Sequence, residues 1–111
     1  MNDAESEASS ARRLPGARFH PAAAREMLAA ARFYQGQRFG LGEDFLDELD
    51  RAVAFAIDHP DAGTPLGDGC RWVLTRRFRY AVVYRGLKGI EVMAVAHLRR
   101  RPGYWRRRIA R

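Results

Sequence analysis

The hydrophobic pattern changes its period once along this chain of 111 residues, and that change constrains the fold more than any other feature. Before residue 60, apolar residues recur at three- and four-residue spacing, which is typical of helices with one buried face. After residue 70 they alternate or run together in short stretches, which is typical of strands. Helices followed by consecutive strands predict an α+β domain, with the helices packed on one face of an antiparallel sheet.

Two amphipathic helices are predicted in the first half of the chain, at 21–35 and 40–59. Only a short connection separates them, so we expect an antiparallel hairpin. Asp47 and Arg51 are expected to form an ion pair on the exposed side of the second helix. The apolar faces comprise Ala24, Met27, Leu28, Ala31 and Tyr34 in the first helix, and Phe45, Leu46, Leu49, Val53 and Ile57 in the second.

Four strands are predicted, at 17–20, 71–76, 80–85 and 90–97. The last is apolar on both faces from Val92 to Ala96, so we expect it at the centre of the sheet, under the helices. Residues 61–70 are rich in glycine and proline and are predicted to form a loop. The expected order is therefore a strand, a two-helix hairpin and a three-stranded antiparallel meander.

Chain length, apolar runs and cysteine count indicate one small domain without a membrane span or a disulfide. Residues 1–16 are predicted to form a flexible tail and 17–111 a single domain. No apolar run approaches the roughly 20 residues that span a bilayer, and the acidic first residues do not resemble a signal peptide. The single cysteine, Cys70, excludes an internal disulfide and fits a reducing compartment. We expect a cytoplasmic protein without membrane contact, metal or other cofactor.

Positive charge is concentrated in the second half of the chain. The net charge is +7, and residues 61–111 carry thirteen Lys/Arg against three Asp/Glu. Such an imbalance predicts an acidic partner, either nucleic acid or protein. The candidate anion-binding residues are Arg79, Arg85, Arg99, Arg100, Arg101, Arg106 and Arg107.

A series of short motifs resembles one family of bacterial proteins. His20-Pro21 leads into a helix that contains Phe33-Tyr34, and Gly40-Leu41-Gly42 opens the helix that contains Phe45-Leu46. The segments 77–85 (RFRYAVVYR) and 94–105 (AVAHLRRRPGYW) complete the series. In this order, the motifs resemble the RelE/ParE superfamily of type II toxin–antitoxin toxins, the plasmid-stabilisation proteins, over about residues 17–108.

The resemblance implies a toxin that is held inactive in a hetero-oligomer with its antitoxin, and it leaves two activities open. RelE-like members cleave messenger RNA on the ribosome without a metal, whereas ParE-like members poison DNA gyrase. Metal-free cleavage needs a base, an acid and cations near the phosphate, for which His97, Arg100 and Tyr104 are the candidates. In the RelE-like pattern an arginine lies inside the middle strand, where this chain has Ala81. We therefore favour the ParE-like activity.

Other interpretations stay open at this stage. His97 at the end of a central strand is also typical of a structural hydrogen-bonding residue, and Trp105 of a residue that closes the core. A basic nucleic-acid-binding or antitoxin-binding module without catalytic activity fits the same charge. An antitoxin is expected to dock an acidic segment on the arginines. An amphipathic antitoxin helix is expected on the helix hairpin, at Met27, Leu28, Phe45 and Leu49.

Overall fold

Two helices lie on one face of a five-stranded sheet in the computed structural model, which describes residues 15–86 and 88–109. This arrangement confirms the predicted α+β class. Residues 1–14 of the predicted tail and Leu87, between the last two predicted strands, lie outside the described residues. The elements are β1 (Ala17–Phe19), α1 (Pro21–Gln37), α2 (Leu41–Asp58), β2 (Thr64–Gly67), β3 (Cys70–Leu74), β4 (Tyr80–Gly86), β5 (Ile90–His97) and a C-terminal 3₁₀ turn (Tyr104–Arg108).

The sheet has the order β1-β5-β4-β3-β2, in which β1 runs parallel to β5 and all other neighbours are antiparallel. Strand β5 is therefore internal, as its apolar sequence predicted, but the central strand is β4 and not β5. Strand β1 ends at Phe19, opposite Val92, so the second half of β5 has no strand on that side. Met93 has no partner in the pairing of β5 with β4, because the register shifts at this point and forms a bulge.

The prediction of a loop at 61–70 was wrong, because part of this stretch forms β2. Asp68 and Gly69 both have positive φ, at 57° and 75°, and join β2 to β3 in the pattern of a type I′ turn. Pro65 is tolerated because β2 is an edge strand, where one missing N–H breaks no ladder. The meander consequently has four strands instead of three.

The helices begin and end close to the predicted positions. The side chain of His20 caps α1 by accepting a hydrogen bond from the backbone N–H of Ala22 at 3.0 Å. Exposed Gly36 does not end α1, which continues to Gln37. Gly42 lets the helices approach, since a Cβ there would lie 2.6 Å from the carbonyl oxygen of Ala31. None of the described helices is long and apolar enough to cross a membrane.

Two apolar clusters hold the sheet between them. The helix-side cluster contains Met27, Phe45 and Leu49, all with no solvent exposure. The prediction that these three residues dock an antitoxin was therefore wrong, because the fold removes them from the surface; only Leu28 is partly exposed. On the opposite face, Trp105 packs over the sheet and is 4% exposed, which confirms its predicted role in closing the core.

Candidate functional site

A carboxylate on α1 holds the C-terminal 3₁₀ turn against the sheet. Glu26 accepts hydrogen bonds from the hydroxyl of Tyr104 at 2.7 Å and from the guanidinium of Arg108 at 3.0 and 2.8 Å. It also accepts the backbone N–H of Val95 at 3.0 Å, while Arg108 donates to the carbonyl of Met93 at 2.8 Å. The side chains of Glu26 and Arg108 thus hydrogen-bond the backbone groups that β5 leaves unpaired where β1 has ended.

This network sets the protonation of its members. Burial by itself raises the pKa of Glu26, but the hydrogen bonds from Arg108, Tyr104 and Val95 outweigh it, so that the pKa lies below its ordinary value of 4.5. Burial, together with the hydrogen bond to Glu26, raises the pKa of Tyr104 well above its ordinary value. Tyr104 therefore keeps its proton at neutral pH and donates it to a carboxylate, which makes it a poor base for a ribose hydroxyl.

The ring of Tyr104 is also occupied on its surface by cations. The guanidinium carbon of Arg100 lies 3.8 Å from the ring centroid, and that of Arg108 lies 5.2 Å from it. Arg100 is further drawn towards Glu26, at 4.0 Å between charged atoms. Arg100 and Tyr104, two of the three nuclease candidates, are thus joined to each other in a structural cluster around Glu26.

His97, the third candidate, ends β5 with a local hydrogen bond. Its Nδ1 atom accepts the backbone N–H of Arg99 at 3.0 Å, so the neutral ring carries its proton on Nε2. Its ring meets that of Tyr80 edge-on, with the centroids 5.2 Å apart. Burial and neighbouring Tyr34 raise the pKa of Tyr80 to about 12. Burial also raises the pKa values of Tyr84 and Tyr104, so none of these three phenols is easier to deprotonate than a free tyrosine.

An apolar cavity of about 170 Å³ opens beside these residues, on the sheet face that carries Trp105. Its floor is formed by side chains of β4 and β5, including Ala81, which is 1% exposed. An arginine at position 81 would extend into this space, so the alanine leaves the cavity open. Leu66, Trp72 and Trp105 line its walls, and His97, Arg100, Arg101 and Arg106 lie around the opening.

The predicted anion-binding arginines divide into two groups. Arg79 lies beside the end of β5, since its carbonyl accepts the N–H of Leu98 at 2.9 Å, and Arg99, Arg100, Arg101 and Arg107 are exposed in the segment after β5. Among the described residues, neither Arg99 nor Arg101 has a carboxylate partner.

The other two predicted anion-binding arginines, Arg85 and Arg106, each form an ion pair with a carboxylate. Arg85 lies at the far end of β4 and binds Glu91 at 2.9 Å, so it does not join the C-terminal cluster. It pairs with a strand carboxylate instead of one on a helix. Arg106 binds the carboxylate of Asp68 and the carbonyl of Leu66, which ties the C-terminal turn to β2.

The sequence analysis missed two glutamates that the fold withdraws from solvent, buried Glu48 and largely buried Glu26. Besides Glu26, Glu48 on α2 accepts the backbone N–H groups of Arg76 and Arg77 at 3.0 and 3.1 Å and thereby fixes the β3–β4 connection. Glu48 also pairs with Arg51 at 2.6 Å, so the predicted Asp47–Arg51 pair was wrong. Both glutamates follow a buried apolar residue by three positions and precede another by four, a spacing that places a carboxylate on the buried side of a helix.

Comparison with known proteins gives one family and one fold. A solved structure titled "Chromosomal ParDE TA system from P. aeruginosa" matches 74% of this chain and 94% of that chain, with a TM-score of 0.64 and 16% sequence identity. That similarity shows a shared fold. Curated protein sequences give no significant match. The sequence profile described as "ParE toxin of type II toxin-antitoxin system, parDE" matches residues 17–102, so the chain belongs to the ParE toxin family.

Proposed function

We propose that this toxin arrests growth by acting on DNA gyrase in the cytoplasm, and that a cognate antitoxin neutralises it in a hetero-oligomeric complex. Membership in the ParE family supports this proposal. The observation that carries the choice of activity is the bond between Tyr104 and Glu26, at 2.7 Å. It leaves the C-terminal tyrosine protonated and engaged, and Ala81 stands in β4 where the RelE-like pattern has an arginine.

The exposed arginines after β5 are the proposed contact surface for the target. Arg99 and Arg101 are exposed and have no carboxylate partner in the described part of the chain. An unpaired guanidinium needs no ion pair to be broken before it binds an anion, and its planar donors suit carboxylate and phosphate. Arg107 and Arg79 extend the same surface. Arg85 is excluded because it is paired with Glu91.

One observation favours a second candidate, the RelE-like messenger-RNA endonuclease. His97, Arg100, Arg101 and Tyr104 all line the same cavity. A cation and a phenol beside this cavity, with an imidazole that packs on Tyr80 at the end of β5, are the kinds of group that general acid–base cleavage of RNA requires. Two features argue against this candidate. The hydroxyl of Tyr104 is held by Glu26, and position 81 carries an alanine where the RelE-like pattern has an arginine.

Regulated expression with two readouts tests the proposal. We expect growth arrest together with gyrase-stabilised DNA breaks, and no new messenger-RNA 5′ ends. The double variant Arg99→Gln, Arg101→Gln should weaken the arrest. Its matched control is Arg25→Gln, Arg32→Gln, which removes the same charge from two exposed residues of α1.

Each other outcome selects an alternative. Ribosome-dependent messenger-RNA cuts without DNA breaks would establish the nuclease. A folded protein that arrests no growth would leave only the basic binding module. Equal effects of the two double variants would remove the arginines after β5 from the contact surface.

A further inference from the structure

We propose that the apolar cavity beside β5 receives one apolar side chain, about the size of an aromatic ring, from an acidic segment of the antitoxin. This inference rests on the proposed function, because it names the part of the toxin that its neutralising partner grips. The cavity is formed by Ala81, Val83 and Ala96 on the sheet and by Trp72 and Trp105 on its walls.

The volume of the cavity matches one side chain. It measures about 170 Å³. An engineered protein cavity of about 150 Å³ lined by apolar side chains binds benzene, so this one has room for a phenylalanine or leucine side chain. Apart from the arginines and His97, its lining is largely aliphatic and aromatic, and an apolar pocket of this kind is the usual place for an interface anchor residue.

The charge around the opening selects an acidic partner. Arg100, Arg101 and Arg106 lie at this cavity, and none of its described lining residues is acidic. Arg106 is paired with Asp68 and Arg100 lies 4.0 Å from Glu26, so in the described part of the chain Arg101 is the one of the three without a carboxylate partner. Three other grooves of the molecule each contain a glutamate among their lining residues, namely the groove between the helices, the groove beside β3 and the groove at the β5 edge. A segment with carboxylates on both sides of an apolar residue therefore fits this cavity better than it fits those grooves.

Neither Trp105 nor Tyr104 presents the open platform that a nucleic-acid base needs. Base stacking requires an open ring face. Trp105 is 4% exposed, and the ring of Tyr104 carries the guanidinium groups of Arg100 and Arg108. The floor consists of alanine and valine side chains, which suit an alkyl or phenyl group inserted between them.

The position of the cavity explains how an antitoxin segment that docks there would neutralise the toxin. Arg100 and Arg101 belong both to the opening of the cavity and to the exposed segment that we propose as the target contact. A protein segment anchored in the cavity would cover these two arginines. Binding of the antitoxin and of the target would then exclude each other, so that an unreactive complex results without any change of fold.

Both tryptophans of the chain line this cavity, which makes intrinsic fluorescence a direct measure of its occupation. The first probe is the purified antitoxin, taken as the small protein encoded beside the toxin gene. The second is a five-residue peptide with one phenylalanine between two pairs of aspartates, compared with the same peptide carrying alanine. We expect both the antitoxin and the phenylalanine peptide to shift the tryptophan emission, and the alanine peptide to leave it unchanged.

Two substitutions close the cavity in different ways. Ala81→Leu fills it from the floor, and Leu66→Trp covers it from β2, where the partly exposed side chain makes unfolding a small risk. Each should weaken antitoxin affinity about tenfold or more, because an anchor side chain loses its pocket. The matched control Ala54→Leu, on α2 and away from this cavity, should bind within twofold of the original chain.

The result that overturns the inference is antitoxin affinity within twofold of the original in both folded variants. A loss of gyrase affinity with unchanged antitoxin affinity also overturns it, since the cavity would then belong to the target. If a single-stranded RNA oligonucleotide shifts the emission more than the phenylalanine peptide does, the cavity binds a nucleotide and not a protein segment, and the inference is overturned. Absence of growth arrest by the original chain refutes the proposed function separately from these binding measurements.

Discussion

Glu26 on α1 and Arg108 in the C-terminal 3₁₀ turn form a two-pronged ion pair across 82 residues of sequence, with nitrogen–oxygen distances of 3.0 and 2.8 Å. Their side chains are 16% and 14% exposed, so the pair is largely withdrawn from solvent. It takes the place of a neighbouring strand at the open half of β5. The arginine-rich segment between His97 and Tyr104 is held at both of its ends as a result.

Glu26→Ala should destabilise the fold strongly. The substitution leaves a largely buried guanidinium without its countercharge, which costs roughly 3 kcal/mol. For a domain of this size, that loss corresponds to a fall of roughly 10–20 °C in melting temperature. Thermal unfolding followed by circular dichroism measures it. Glu43→Ala, an exposed glutamate on α2, is the control and should change stability by less than about 1 kcal/mol. Equal effects of the two variants would contradict a structural role for Glu26.

Acid should unfold the protein through its two buried glutamates. Burial by itself raises the pKa of Glu48. The hydrogen bonds from the backbone N–H groups of Arg77 and Arg76 and the nearby guanidinium of Arg51 outweigh burial, so its folded pKa is depressed like that of Glu26. A depressed carboxyl pKa contributes stability that is fully present above the ordinary value of 4.5 and is lost as pH falls through the folded value. Urea unfolding between pH 7 and pH 3 measures this slope. We expect a shallower slope in Glu26→Gln, and an unchanged slope in that variant would contradict the assignment.

Tyr104→Phe should keep the toxic activity and lose stability. The variant retains the ring under Arg100 but removes a hydrogen bond to a carboxylate, which contributes about 2 kcal/mol. Growth arrest at equal amounts of folded protein measures the activity, and chemical denaturation measures the stability. A stable variant without toxicity would indicate that the hydroxyl takes part in a reaction, as the nuclease candidate requires.

Glu48→Gln should loosen the connection between β3 and β4. A neutral amide oxygen accepts the N–H groups of Arg76 and Arg77 more weakly than the carboxylate does, since charge-assisted hydrogen bonds are about twice as strong as neutral ones. In the variant, hydrogen exchange at these two amides is expected to be about tenfold faster than in the original chain, after correction for any change in global stability. The neighbouring variant Asp47→Asn, on the exposed side of α2, should leave both amides unchanged.

The sequence predicted the elements whose patterns are local. The apolar run of β5 placed it inside the sheet, and the helix periods located α1 and α2. Strand β2 was missed because Pro65 and Gly67 were weighed as loop formers, whereas the Asp68-Gly69 pair after them is a hairpin signal. Composition alone therefore hid a strand that the turn chemistry indicates.

The contacts of the site were harder to predict because they depend on residues distant in sequence. Nothing near Glu26 shows that it meets Tyr104 and Arg108, 78 and 82 residues later. Arg108 lies in the basic run 106–108, yet its side chain is the least exposed among the described arginines that form ion pairs. The spacing of Glu26 and Glu48 from buried alanines and a buried phenylalanine places them on the inner sides of their helices, but it does not identify their partners.

Purified toxin incubated with DNA gyrase, ATP and supercoiled plasmid tests the central claim most directly. After denaturation of the enzyme, we expect linear plasmid to accumulate with increasing toxin. The Arg99→Gln, Arg101→Gln variant should require a higher concentration than its charge-matched control, and prior addition of antitoxin should prevent the linear product. Intact plasmid at saturating folded toxin, together with messenger-RNA cuts in a ribosome-containing reaction, would contradict the gyrase assignment and establish the nuclease in its place.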